Sequence, residues 1–135
     1  MPANFHIDKD KGIVVGHAEG VVQPAELIAA FSKLAEESKG LSVGMPMLFK
    51  ADEQASHHAM NMGSLKSVAD NMRAWRASAH VTARVKNALV APDLSHDPVA
   101  SLWRALADAD PSVGIIVRVF ATEEAAIAWL TEHDT

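Results

Sequence analysis

The chain contains no cysteine. That absence excludes disulfides, thiolate-bound zinc or iron–sulfur clusters and cysteine nucleophiles, and it fits a reducing compartment. Long apolar runs are missing too: the longest are strand-length, short of the ~20 residues that a bilayer-spanning helix needs. The opening MPANFHIDKDKG has no basic flank leading into an apolar core, so no signal peptide is read there and a cytoplasmic location is expected. Positive charge is in deficit, with 12 Lys and Arg against 17 Asp and Glu for a net charge of −5. Duplex binding needs clustered cations to displace counterions from phosphate, so nucleic acid is not an expected partner. No linker, internal repeat or low-complexity tract interrupts the chain.

What is present fits one folded unit. At 135 residues, with 49% apolar and 21% charged residues, the chain is expected to form a single domain, 1–135, around one core. Charge is unevenly distributed. Residues 64–90 hold Lys66, Arg73, Arg76, Arg84 and Lys86 against Asp70, a local +4, whereas residues 91–135 hold Arg104 and Arg118 against eight acids, a local −6. Such asymmetry can orient a partner or a second copy, and it equally describes two solvated helix faces.

Hydrophobic periodicity supplies the elements. Residues 4–8 and 12–22 are strand-like and flank the polar break Lys9, Asp10 and Lys11, which predicts a hairpin. From Pro24 the period becomes helical through Leu27, Ile28, Phe31, Leu34 and Ala35, with Gly40 as the stop. MPMLFKA (45–51) and RVKNALVA (84–91) have the pattern of strands covered on both faces. Between them Leu65, Val68, Ala69, Met72 and Trp75 mark a helix over about 64–79. Asp97 and Pro98 open a third helix carrying Val99, Leu102, Trp103 and Leu106, VGIIVRVF (113–120) is the last strand, and Thr122 caps a fourth helix. The order is ββαβαβαβα, an α/β fold with a mixed five-stranded sheet and right-handed crossovers.

The stretches GIVVGHAEGVVQPAEL, PMLFKAD, RVKNALVA and above all VRVFATEEAAIAWL resemble the SpoIIAA-like group of STAS-related bacterial proteins over nearly the whole chain. The resemblance implies a single STAS-like domain that works as a noncatalytic regulatory or ligand-binding module rather than as a catalyst. In the related anti-sigma-factor antagonists a serine opening the second helix is phosphorylated. This chain reads Asn61, Met62, Gly63, Ser64 and Leu65 there, so Gly63 takes the serine's place and Ser64, one residue late, is either a displaced phosphosite or a helix N-cap. Related domains that hold apolar ligands give the methionines Met45, Met47, Met60, Met62 and Met72 two readings, as pocket lining or as core.

Ligands of open α/β sheets bind beyond the carboxyl ends of parallel strands. Two polar clusters fall there: Asp52, Glu53, His57 and His58, and then Asp93, Ser95, His96 and Asp97. A ligand is therefore expected between 52–63 and 92–98, with Asp52, His57, His58, Met60, Met62, Ser64, Asp93, His96 and Asp97 as binding residues. The alternative is a metal-dependent enzyme using Asp52, His57, His58, Asp93 and His96, since imidazole and carboxylate suit zinc. No HEXXH motif occurs, and consecutive Ser95, His96 and Asp97 cannot form a catalytic relay, so neither a cofactor nor a catalytic residue is assigned. Gly12, Gly16 and Gly20 lie inside the hairpin, not between strand and helix, and mark bulges or close backbone approach rather than a phosphate loop. His6 and His17 are placed opposite each other across it. Trp75, Trp103 and Trp129 are core or interface anchors.

The expected partners are a protein or a small apolar ligand and, as a third reading, a second copy in a structural homo-oligomer. The complementary +4 and −6 segments with three helix tryptophans predict at least a homodimer. Sedimentation at tens of micromolar protein and physiological salt should return a mass above that of the monomer; a monomer mass would remove this expectation.

Overall fold

The computed structural model describes residues 3–18, 24–51, 62–90 and 98–132, and its order is ββαβαβαβα. Strands β1 (Ala3–Asp8) and β2 (Ile13–Ala18) form the hairpin. Its turn is built by Asp8, whose Oδ1 accepts from the N–H groups of Asp10 and Lys11 at 3.1 and 3.2 Å, and by Gly12 in the left-handed region at φ +68°. Helix α1 (Pro24–Glu37) ends as the sequence indicates: Gly40, at φ +85°, donates to Ala35 O at 2.8 Å.

A 3₁₀ turn, Leu41–Gly44, follows and carries the chain to β3 (Met47–Ala51). The strand starts two residues later than the apolar run because Pro46 has no N–H to give to a ladder, although its carbonyl accepts from Val14 at 2.8 Å. Helix α2 is Met62–Ser78, β4 Val85–Val90, α3 Pro98–Ala109, β5 Ile115–Phe120 and α4 Glu123–Leu130. Thr122 caps α4 as expected, its side chain accepting from Ala125 N–H at 3.3 Å.

The sheet order is β1-β2-β3-β4-β5, antiparallel only at the first pair. One register row runs Val14, Met47, Asn87, Val117, and the next runs Val15, Leu48, Ala88, Arg118, so these rows face opposite sides. The first side packs on α1, α2 and α3 through Phe31, Leu34, Ala69, Trp103 and Ala107. The second packs on α4 through Ala126 and Leu130 against Ile13, Val15, Leu48 and Ala88. At the centre of the last three strands Leu48, Ala88, Ile115 and Val117 are buried, and Met47, Phe49, Leu89, Val90 and Ile116 are half-buried.

Gly16 is a close-approach glycine. A Cβ there would lie 2.5 Å from the Phe5 ring and 2.8 Å from that of Phe49. His6 pairs with Val15, and His17 with Asn4, so the two histidines share a face diagonally rather than sitting opposite each other as expected. The register is shifted by two residues from that expectation because the turn takes four residues.

At the other end of the sheet Asp110 joins three elements. Its carboxylate accepts from Ser112 N–H at 3.1 Å and Ser112 Oγ at 2.5 Å, and it pairs with Arg73 of α2, which also holds Asp70. The Ser112 hydroxyl first, and then the Arg73 guanidinium, hold the Asp110 carboxyl below the usual carboxylate range.

Two outcomes follow. Leu48→Asp puts an unpaired charge into a fully buried position and should cost about 4–5 kcal/mol or more, seen as loss of cooperative thermal unfolding; a near-native melting temperature would contradict the central placement of β3. Asp110 has a depressed folded-state pKa, so its stabilisation is present above the unfolded value of ~3.9 and is lost as pH falls through the folded one. Asp110→Asn should therefore lower the melting temperature at about pH 7, by an amount that shrinks as pH falls below ~3.9.

Candidate functional site

Most of the residues expected to bind a ligand lie outside the described residues: Asp52, His57, His58, Met60, Asp93, His96 and Asp97. Met62 and Ser64 fall on the first turn of α2. Ser64 is the third residue of that helix and so does not precede it as an N-cap, which corrects that reading. The helix begins two residues earlier than the apolar periodicity because Met62 and Gly63 already belong to its first turn. Among the described residues no three His, Asp or Glu side chains converge as a metal set.

A cleft of about 410 Å³ lies at the opposite end of the sheet. Strands β2 to β5 run in one direction, so their amino ends gather on one side, and the cleft is built from the start of β2 (Ile13), the approach to β3 (Gly44, Pro46), the start of β4 (Ala83–Lys86) and the end of α4 (Leu130–Glu132). Ile13, Pro46, Val81, Val85 and Leu130 contribute apolar surface; Lys11, Arg84 and Lys86 contribute positive charge, with Glu132 the acid among the lining residues.

These cations differ in what already holds them. Lys86 Nζ donates to Trp129 O at 3.0 Å and Glu132 O at 3.4 Å, capping the C-terminal carbonyls of α4, and it lies 5.3 Å from the Trp129 ring. Lys11 Nζ meets Asp8 Oδ2 at 3.3 Å. That carboxyl lies below its usual range chiefly because the Lys11 backbone N–H donates to it. Arg84 is exposed and makes one long bond to Ile115 O, at 3.4 Å.

A second hollow of about 20 Å³ lies deeper on the helix side and shares Val85 and Lys86 with the cleft wall. Met45, Met47 and Met72, with Phe31 and Trp75, form much of its wall, so three of the five methionines serve both as core and as lining. The polar residues of its lining are Ser42, Arg76, Lys86 and Asn87, of which Arg76 is 9% and Asn87 5% exposed. Among the described residues, Arg76 Nη1 and Asn87 Oδ1 are buried and find no hydrogen-bond partner. Each such group typically costs about 1–3 kcal/mol, so two of opposite sense beside one hollow are not incidental packing.

The sequence offered one signal for the inner hollow that went unread, a carboxamide in the middle of the apolar strand VKNALV. For the outer cleft there was only the pair Arg84 and Lys86 at the start of β4. Comparison of the chain with protein-family models, with curated proteins and with solved structures finds no match.

Proposed function

We propose that the chain is a noncatalytic, STAS-like ligand-binding domain whose ligand is a small apolar molecule bearing one anionic group, received in the cleft at the amino ends of β2 to β4. The observation that carries this reading is the pairing of an apolar floor with the cations Lys11, Arg84 and Lys86 in a space of about 410 Å³. Small-molecule sites commonly span roughly 300–1,000 Å³ and combine apolar walls with few polar groups. The order ββαβαβαβα supports the STAS-like part of the reading, and the lack of cysteine supports a reducing compartment.

Arg84 is the side chain with most to offer a ligand. Its guanidinium fork suits the paired oxygens of a carboxylate or sulfonate, and it gives up one long bond to do so. Lys86 holds α4 and supplies field more than contact.

The reading is tested with two fluorescent probes of one shape, anilinonaphthalene sulfonate and its sulfonate-free analogue, together with amide chemical shifts. The sulfonate should bind more tightly, shift amides at 11–13, 81–86 and 130–132, and lose about tenfold in affinity, ~1.4 kcal/mol, in Arg84→Glu. The neutral probe should be unaffected by that substitution. Equal affinities for the two probes, or shifts confined to 52–63 and 92–98, would overturn the proposed cleft.

A further inference from the structure

Arg76 and Asn87 line the inner hollow and not the cleft. Arg76 stands in the last turn of α2, and its guanidinium lies against the backbone of Gly114, where a Cβ would come within 2.2 Å of Cζ. Glycine is needed there twice over, for that contact and for a φ of +75°. Nη2 donates to Ala83 O at 2.9 Å, and Nη1, buried and without a partner among the described residues, belongs to a side chain that lines the hollow. Asn87 reaches the same hollow from the middle of β4, on the row it shares with Met47 and Val117.

We infer that this hollow is a built site for one neutral hydroxyl-bearing molecule, a single water, which accepts from Arg76 Nη1 and donates to Asn87 Oδ1. The two groups are complementary: one is a buried donor and the other a buried acceptor. A halide or carboxylate would satisfy the guanidinium but would bring negative charge onto the carbonyl oxygen of Asn87. A cation meets the reverse conflict, and a methyl group from a repacked methionine would pair with neither. A hydroxyl does both with one oxygen. Size agrees with chemistry, since one water needs at least ~10–15 Å³ of accessible space and the hollow has about 20 Å³, room for one molecule and not for two. The bridge would join the end of α2 to the middle of β4.

The test uses the whole, unaltered chain. Crystals grown in chloride and then soaked in bromide should show one spherical peak within about 3.2 Å of both Arg76 Nη1 and Asn87 Oδ1, with no bromine anomalous signal there. An anomalous peak at that position would make it an anion site and overturn the proposal, as would high-resolution density with no peak. In solution, oxygen-17 relaxation dispersion should report one long-lived water fewer in Asn87→Leu than in the parent chain, and the same number in Asn87→Asp, which keeps the acceptor. An unchanged water count in a folded Asn87→Leu would also overturn it; if that variant does not fold, the crystal measurement decides alone.

Discussion

The rest of the structure depends on one topological constraint: β2, β3, β4 and β5 follow one another across the sheet in a single direction and all run parallel. Right-handed crossovers between successive neighbours then bring every connecting helix to the same face, so α1, α2 and α3 cover one side and cannot help with the other. The second side carries Ile13, Val15, Leu48 and Ala88, and α4 packs on it with eight residues. Its shortness is offset by composition. Ala126 is fully buried so that the helix can approach closely, while Trp129 spreads over the sheet against Phe120 at 5.6 Å and under Lys86 and Arg118.

On the side of α1, packing runs through a chain of aromatic rings. Phe5 and Phe49 close over Gly16 with ring centres 5.9 Å apart, Phe5 meets Phe31 edge-on at 5.4 Å, and Phe31 lies 4.9 Å from Trp75. This chain of contacts ties the edge strand β1 to α1 and then to α2. A methyl group on Gly16 would push the first two rings apart, so overpacking at one strand position would be felt in α2, at a typical cost of about 1–3 kcal/mol. The same rings end at Trp75, next to Arg76, and both residues line the inner hollow.

Elements were legible in the sequence wherever local chemistry and burial agreed. The alternation that sends Phe5 and Ile7 to the core, the caps at Thr122 and Gly40, and the apolar strands at 47–51 and 115–120 all combine both kinds of signal. The 3₁₀ turn at Leu41–Gly44 was not legible, because it is held by Ser42, a polar residue buried through contact with Ser38, and by backbone bonds that leave no periodic trace. The cleft was missed for a different reason. Reasoning from open sheets directs attention to carboxyl ends, while the cleft gathers residues from four separate stretches, Lys11–Ile13, Gly44–Pro46, Val81–Lys86 and Leu130–Glu132, whose convergence only topology reveals.

Charge at this end of the sheet has a physical origin that also sets what it can bind. Helices that run back against parallel strands finish beside the strand starts, so their carbonyl ends and partial negative charge collect there. The cations nearby answer that field: Lys86 serves the end of α4 through Trp129 O and Glu132 O, and Arg76 serves the turn after α2 through Ala83 O. A cation so engaged has little left for a ligand, because moving it would release helix carbonyls to an unpaired state. Arg84 stands between them on the same strand start, is exposed, and holds a single carbonyl at the long distance of 3.4 Å. The positive potential of the cleft thus comes largely from residues that stabilise the fold, and of its three cations Arg84 is the one that the fold engages least.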